Sequence, residues 1–94
     1  MLPVHRIIPD ALVEILRKAP LTDEKVAFAW RSSVGPAIDR GTSVSLHDGV
    51  LRVTVREAAW GKEVERSAAL IRARLDALLG RGVVRAMEIS PQQR

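Results

Sequence analysis

Four cations in the second half of the chain are the residues best suited to carry chemistry. Arg52 and Arg56 stand an even number of residues apart in a segment that alternates apolar and polar side chains, so they share one face of a strand. Lys62 and Arg66 are four residues apart and share the outer side of a helix. Together they could neutralise phosphates and bind nucleic acid weakly, with a strong dependence on salt. The alternative is an ordinary solvated surface.

The charge of the chain is distributed unevenly. Its 94 residues include 15 Lys and Arg and 11 Asp and Glu, for a formal net charge of +4. Residues 1–49 carry six side chains of each sign, whereas residues 50–94 carry nine basic and five acidic ones. Twelve of the cations are arginines, which bind phosphate and carboxylate better than lysines do. This asymmetry favours a polyanion or an acidic protein surface as partner, although a GC-rich genome produces the same arginine bias.

Motifs that would indicate an enzyme or a cofactor are not found. His5 and His47 lie far apart, and no metalloprotease, serine-hydrolase, P-loop or dinucleotide-binding signature is present. The chain has no cysteine, which excludes disulfides and thiolate metal sites. We therefore expect a protein without enzymatic activity, metal or cofactor. Because no apolar run reaches about 20 residues and no secretory signal is visible, we expect a cytoplasmic protein that does not enter a membrane.

The two tryptophans receive different interpretations. Trp30 falls on the apolar stripe of a helix and, with Phe28, is expected in the core. Trp60 stands at the start of a later helix. Because helix starts are partly exposed and tryptophan is enriched at interface hot spots, Trp60 is a candidate for a partner contact, with core packing as the alternative. Arg72 and Arg74 are candidates for charges at the rim of that contact.

Two helices are predicted before the middle of the chain. The first begins near Pro9 and ends before Pro20, and the second begins after Thr22, a good N-cap residue, and ends at Gly35. One further turn is expected over 37–40. The residues expected on the buried stripes of the two helices are Leu12, Val13, Ile15, Leu16, Val26, Ala27, Trp30 and Val34.

A hairpin, a long helix and a third strand are predicted for the remainder. Alternating residues over 43–47 and 51–56 flank Asp48-Gly49, a favourable two-residue hairpin turn. A helix is expected over 58–79, because its apolar residues fall on one side at helical spacing. A strand is expected over 83–89. Its residues expected to face the core are Met87 and Ile89.

The element order predicts the fold class. Helix, helix, strand, strand, helix, strand gives an α+β fold, because the apolar faces of the hairpin and the long helix must be buried against each other. We expect one domain over 1–94, with a core at about 9–90 and a three-stranded sheet covered by helices on one face. Within the long helix, Gly61 could mark a kink or break, and Arg72 and Asp76 are spaced to form an ion pair.

Three segments in a fixed order resemble the bacterial DciA-like family. In the first, 29–38, a tryptophan is followed by Val-Gly and a short apolar turn. The second, 48–55, is a turn followed by the pattern Leu-x-Val-x-Val. In the third, 58–64, a tryptophan opens the long helix. The resemblance covers roughly residues 10–90.

This resemblance implies a function in DNA replication. DciA-like proteins assist the loading of the replicative helicase, DnaB, onto DNA without hydrolysing ATP themselves. The resemblance also implies a KH-like fold, a small sheet backed by helices. Such a domain would bind single-stranded or forked DNA through basic surface and not through a KH clamp. By position, Trp60 matches the family tryptophan that opens the long helix, and Trp30 and Gly35 match the first segment.

Two departures from the family pattern carry expectations of their own. Many family members have a long basic extension beside the domain, whereas few residues flank 10–90 here, so we expect weak DNA binding. Gly61 is also a poor residue for the first turns of a helix. A shortened paralogue with an altered role is therefore an alternative.

Two other functions are compatible with the same residues. A KH-like RNA-binding or ribosome-associated module would use the same basic face, although no G-x-x-G loop is present. A structural adaptor or homo-oligomer would instead pair copies of the chain through the free edge of the small sheet.

Overall fold

A computed structural model describes residues 9–92, and within this range the chain forms one three-stranded sheet and five helices. The predicted α+β class is confirmed. In chain order the elements are α1 (Asp10–Lys18), α2 (Asp23–Val34), α3 (Pro36–Arg40), β1 (Thr42–His47), β2 (Val50–Val55), α4 (Ala58–Arg66), α5 (Ala68–Leu79) and β3 (Ala86–Pro91).

The ends of α1 and α2 agree with the sequence signals. Pro9 precedes α1, and Thr22 Oγ1 accepts a hydrogen bond of 3.1 Å from the backbone N–H of Lys25 at the start of α2. Gly35, with a φ of 87°, ends α2 and leads into α3. Lys25 Nζ donates to the carbonyl of Ala19 at 2.7 Å, so a side chain of α2 also closes the end of α1.

Replacing Thr22 by alanine should lower the free energy of unfolding by about 1 kcal/mol, because the Lys25 N–H loses its acceptor. Thr22→Ser keeps a hydroxyl at the same position and should stay within about 0.5 kcal/mol of the unmodified protein. Urea unfolding followed by circular dichroism measures both. Equal losses for the two variants would show that the hydroxyl does not stabilise α2.

Four residues expected on the buried stripes or in the core are exposed. On α1, Leu12 is 39% and Ile15 is 65% exposed, and on α2, Phe28 is 41% exposed and Ala27 also faces solvent. The prediction was wrong there because each helix is covered on one narrow side only. The residues that do pack on the core are Val13 and Leu16 on α1, and Val26, Ala29, Trp30 and Val34 on α2, and Ser33 of α2 is buried beside them.

The hairpin follows the prediction. β1 and β2 are antiparallel, with Val44 opposite Val53. Asp48 and Gly49 have φ values of 50° and 80°, the conformation of the two-residue turns that match the twist of a hairpin. β3 pairs in parallel with β2, so the strand order is β1-β2-β3 and α4 and α5 form the crossover between the last two strands.

The two faces of the sheet have different surroundings. Leu51, Val53 and Val55 of the central strand are buried under the helices, and Met87 and Ile89 pack on the same core as predicted. Because side chains alternate along a strand, the other residues project from an uncovered face. That open face carries Ser43, Ser45, His47, Val50, Arg52, Thr54, Ala86, Glu88 and Ser90. Among residues 9–92, helices therefore cover one face of the sheet and leave the other open, as expected.

The predicted helix over 58–79 is interrupted at Ser67 and not at Gly61. Ser67 has φ −101° and ψ 11°, outside the helical range, and separates α4 from α5. A Cβ at Gly61 would lie 3.5 Å from Cγ2 of Ile89, at ordinary contact, so Gly61 faces the sheet without breaking α4. The interruption lets α4 pack on β2 and β3 while α5 packs on α1 and α2.

The segment after α5 also differs from its prediction. β3 begins at Ala86, three residues later than expected, and Val84 is buried in the core. Arg72 Nη2 donates to the carbonyl oxygens of Val84 and Arg85 at 3.0 and 3.1 Å. The predicted Arg72–Asp76 pair does not form, because these carbonyls take the guanidinium group instead.

Candidate functional site

A half-buried tryptophan lies where the hairpin meets α3 and α4. Trp60 packs against the core on one side and lines a surface cleft on the other. Gly41 faces the indole: a Cβ there would lie 2.4 Å from Nε1, so only glycine leaves room for the ring. The backbone N–H of Arg56 donates to the Gly41 carbonyl at 3.0 Å and holds the end of β2 against the end of α3. This Trp60 cleft is lined by Ala37, Arg40, Gly41, Arg56, Glu57 and Trp60.

The Trp60 cleft combines an aromatic surface with two guanidinium groups. Arg40 and Arg56 are both exposed, and within residues 9–92 neither forms an ion pair with a carboxylate. Arginine binds phosphate and carboxylate through two parallel hydrogen bonds. The indole offers apolar surface to a partner side chain or a base. Because Glu57 also lines the cleft, its lining carries two cations and one anion.

The four cations predicted to bind phosphate do not share one surface. Arg52 projects from the open face of the sheet. Lys62 and Arg66 are exposed on α4, which packs on the opposite face. Arg56 follows β2 and lies in the Trp60 cleft. The structure therefore brings Arg56 to Trp60 and separates Arg52 from the cations of α4.

Two of these four cations are paired with carboxylates. Arg52 lies opposite Glu88 in the register of β2 and β3, with Nε 3.7 Å from Oε1. Arg66 Nη1 is 3.2 Å from Oε2 of Glu63, three residues earlier on α4. All four side chains are at least 44% exposed, so solvent screens the pairs and each contributes at most about 1 kcal/mol. Each pair nevertheless reduces the local positive charge that a phosphate would meet.

Lys62 and Arg56 are the better-placed cations of the predicted set. Lys62 lines a shallow cleft at the end of the sheet with Glu65 and Pro91. In the part of the chain that the structure describes, neither Lys62 nor Arg56 pairs with a carboxylate. Both cations therefore keep their charge available to an anionic ligand.

The two arginines predicted at the rim of a protein contact are bound to backbone carbonyls. Arg74 Nη1 donates to the carbonyl of Ser33 at 2.9 Å and so ties α5 to the last turn of α2. Arg74 Nε is buried and has no hydrogen-bond partner among the described residues. Arg72 binds the segment before β3 in the same way. Neither side chain lines the Trp60 cleft. Because both donate to carbonyls of neighbouring segments, both stabilise the packing of α5 in the fold.

Two arginines at turns were missed from the sequence. Arg40 reaches the Trp60 cleft because Gly41 brings the end of α3 beside the end of β2. Its sequence signal is no more than an Arg-Gly pair before the hairpin. Arg85 lies against Gly49 and donates to the carbonyl of Asp48, 37 residues earlier. No local pattern indicates that contact.

The described residues contain neither a cluster of metal-ligating side chains nor a helix able to span a membrane. Over 9–92, no three His, Cys, Asp or Glu side chains are grouped so that they could hold a metal ion. None of the helices in this range combines the length and the apolar character required to cross a membrane.

Comparison with known proteins identifies relatives over nearly the whole chain. The family model described as "Dna[CI] antecedent, DciA" matches residues 3–89. A UPF0232 protein of Mycobacterium leprae is 30% identical over 89 residues, which are 94% of this chain and 47% of the relative. A UPF0232 protein of Mycolicibacterium smegmatis is 33% identical over 72 residues, 76% of this chain and 37% of the relative.

The family of this chain follows from the share of its residues that the family model matches. The chain spans about half the length, or less, of the curated relatives it matches. The matched range 3–89 nevertheless includes every element of the fold up to β3, together with Trp30 and Trp60. By this match the chain belongs to the DciA family.

Proposed function

We propose that this protein is a non-enzymatic accessory factor of bacterial DNA replication. It contacts the replicative helicase DnaB in the cytoplasm, binds single-stranded or forked DNA weakly, and assists helicase loading. The observation that carries the proposal is the DciA family match over residues 3–89. Because the chain spans about half of its relatives, these partners are proposed for the domain and not transferred from a whole relative.

The Trp60 cleft supports a protein contact. Interface hot spots are enriched in tryptophan and arginine, and they lie in pockets that lose water on binding. Trp60 is half-buried, and Arg40 and Arg56 flank it without a carboxylate partner in the described chain. We assign the helicase contact to this cleft. Arg72 and Arg74 do not line this cleft, so they would take part only in a contact that extends beyond it, through the parts of their guanidinium groups not bound to carbonyls.

DNA binding is assigned to cations that have no carboxylate partner in the described range. Arg56 and Lys62 would contact phosphates directly, and Arg52 and Arg66 would contribute less because Glu88 and Glu63 offset them. A surface with so few unpaired cations predicts weak, sequence-tolerant and salt-dependent binding.

The helicase contact is tested by size-exclusion chromatography of the purified chain with the helicase from the same organism. A shared peak that persists at about 0.15 M salt is the expected result, because apolar burial of Trp60 does not depend on salt as ion pairs do. If the two proteins elute separately and the chain also fails to retain DNA, the proposed function is wrong.

Removing the two unpaired cations should weaken DNA binding more than removing the two paired ones. In fluorescence anisotropy with a labelled single-stranded oligonucleotide, Arg56→Gln with Lys62→Gln should lose roughly tenfold in affinity at low salt. The slope of the logarithm of the association constant against the logarithm of the salt concentration should also become shallower by about 1.4.

The matched control removes the same number of charges from paired positions. Arg52→Gln with Arg66→Gln should cost about threefold or less, since each arginine is already offset by a carboxylate. Equal losses in the two double variants would show that ion pairing does not select the DNA-binding residues. An affinity that does not change with salt concentration would show that the protein does not contact phosphates.

The two alternative functions have distinct signatures in related measurements. A strong preference for single-stranded RNA in competition with DNA would favour a KH-like RNA-binding or ribosome-associated module. For a structural adaptor or homo-oligomer, β1 and β3 are the edge strands through which copies would pair. A stable oligomer in sedimentation, without helicase or DNA binding, would favour that function.

A further inference from the structure

Two arginines of the Trp60 cleft keep all their hydrogen-bond donors available. Among the described residues, the exposed side chains of Arg40 and Arg56 donate to no carboxylate, carbonyl or hydroxyl oxygen. Arg72 and Arg74, by contrast, are held by backbone carbonyls. Two free guanidinium groups that line one cleft can bind a single anionic group through parallel hydrogen bonds.

The indole N–H of Trp60 is a third donor in the same cleft. Trp30 Nε1 donates to Thr42 Oγ1, whereas Trp60 Nε1 has no acceptor in the part of the chain that the structure describes. In this part, the buried side-chain atoms without a partner are Ser33 Oγ and Arg74 Nε, so the Trp60 N–H is open to solvent. An acceptor that enters the cleft therefore meets this N–H beside the two guanidinium groups.

Gly41 covers one face of the Trp60 indole. A Cβ at Gly41 would lie almost equally close to Nε1, Cδ1 and Cε2 of the five-membered ring, so it would stand above the ring and not beside its edge. Nucleic-acid bases stack on open aromatic faces. Because Gly41 occupies this face and Trp60 also packs on the core, the cleft suits a small apolar side chain better than a stacked base.

The charge of the cleft favours one anionic group and not an evenly charged strand. Arg40 and Arg56 supply two cations. The start of α4 adds positive partial charge, because its first turn holds no acidic residue and no side chain caps it. Glu57 also lines the cleft. A DNA strand carries a phosphate at every nucleotide and would bring further anions toward Glu57, whereas a peptide can place one carboxylate among neutral residues.

The size of the cleft limits its occupant to a short segment. Its volume of about 400 Å³ lies near the lower end of the range for ligand pockets, roughly 300–1,000 Å³. A few side chains therefore fill it. A second copy of this chain is disfavoured as the source of that segment, since its net charge of +4 opposes approach to a cationic cleft.

We propose that the Trp60 cleft binds a short acidic segment of a partner protein. One carboxylate of that segment accepts hydrogen bonds from Arg40 and Arg56, and an adjacent apolar side chain packs on the accessible part of the indole. The inference rests on the proposed function, because it names the chemistry of the segment that the helicase would place in the cleft. Arg40 is not among the cations assigned to DNA, so it separates this contact from phosphate binding.

The test titrates the full ¹⁵N-labelled chain with a synthetic peptide and follows the indole N–H signals by NMR. The peptide has blocked ends and carries one glutamate between two leucines, with neutral polar residues elsewhere. The chain has two tryptophans, and the signal that Trp60→Phe removes belongs to Trp60. This signal should shift as the peptide binds, whereas that of Trp30, which is buried, should not.

A peptide with glutamine in place of the glutamate is the matched control for the carboxylate. Glutamine keeps the length of the side chain and removes its charge, so this peptide should bind about tenfold more weakly at low salt. The affinity of the glutamate peptide should also fall as salt is added, because both arginines are exposed.

A pair of matched variants locates the carboxylate. Arg40→Gln should weaken binding of the glutamate peptide about fivefold, the effect expected for one exposed ion pair of good geometry. Arg81→Gln removes the same charge from an exposed arginine that lines a different cleft, and it should stay within about twofold. Circular dichroism should show both variants folded, since neither arginine is buried.

Four results would overturn the inference. The glutamate and glutamine peptides could bind equally, or Arg40→Gln could leave the affinity of the glutamate peptide unchanged. A single-stranded oligonucleotide could shift the Trp60 indole signal while the glutamate peptide does not, which would make nucleic acid the occupant. A dimer in sedimentation that Arg40→Gln abolishes would make a second copy the occupant.

Failure of this inference is distinguishable from failure of the proposed function, because the peptide titration contains neither helicase nor DNA. If the helicase co-elutes with the chain but the glutamate peptide does not bind, the acidic segment is wrong and the helicase contact stands. If the peptide binds but the helicase elutes separately and DNA is not retained, the proposed function is wrong and the chemistry of the cleft stands.

Discussion

Replacing Trp30 by alanine should lower the free energy of unfolding by about 4 kcal/mol. Trp30 is 1% exposed, and its indole fills the space between α2 and the rest of the core. The loss combines the transfer of a large apolar surface with the cavity left behind. Since domains of this size are stable by about 5–15 kcal/mol, this one side chain would account for at least about a quarter of the free energy of unfolding.

A chain of buried hydrogen bonds adds to the loss of stability expected for Trp30→Ala. Trp30 Nε1 donates to Thr42 Oγ1 at 2.9 Å, and Thr42 Oγ1 donates to the Ile38 carbonyl at 2.8 Å. This chain links α2 to β1 and α3. After Trp30→Ala, the Thr42 hydroxyl loses a donor in a buried position, which adds to the cost.

Urea unfolding followed by far-ultraviolet circular dichroism measures the change without relying on tryptophan fluorescence. Phe28→Ala is the matched control, because Phe28 is an aromatic residue of the same helix that is 41% exposed. This control should cost less than about 1 kcal/mol. Similar losses for Trp30→Ala and Phe28→Ala would mean that Trp30 does not anchor the core as described.

Replacing Trp60 by alanine should weaken the proposed helicase contact by about 30-fold or more, the usual loss at an interface hot spot. Trp60 presents one side to the cleft, between two arginines that have no carboxylate partner in the described range. Its other side packs on the core, so the same change should also reduce stability. The two effects have to be separated.

Two variants separate binding from folding. Trp60→Phe keeps an aromatic ring against the core and should recover most of the stability but only part of the affinity. Gly41→Ala retains Trp60 but places a Cβ 2.4 Å from the indole Nε1, so it should displace the ring and weaken binding. Isothermal titration calorimetry with the purified helicase gives the affinities. A folded Trp60→Ala variant that binds within about twofold of the unmodified protein would remove Trp60 from the interface.

The local elements were predictable because their signals are local. Thr22, the Asp48-Gly49 turn and the alternation around Val53 act within a few residues, and each is found where the sequence places it. The buried stripes were less predictable, since Ile15 and Phe28 carry apolar side chains on sides that nothing covers. An apolar residue at helical spacing shows that a helix is amphipathic, not how wide its buried side is.

The candidate site was predictable in its residue types and not in its arrangement. Trp60 could be singled out because it opens a helix after a basic strand, and the family resemblance rests on the same position. Arg40 could not, since its place beside Trp60 depends on the bond between Arg56 and Gly41 across the hairpin. Which cations are offset by a carboxylate also depends on strand pairing. Arg52 lies beside Glu88, 36 residues later in the chain, only because β2 and β3 pair in parallel in this register.

The α+β class, the order of most elements, the basic second half and the family segments can all be read from the order of the amino acids. Composition and short-range periodicity encode all of these. The strand order, the interruption at Ser67 and the hydrogen bonds from Arg72 and Arg74 to distant carbonyls depend instead on how the elements pack together. Arg74 binds a carbonyl 41 residues away. The free energy of such a contact depends on which elements meet, and no local pattern contains that information.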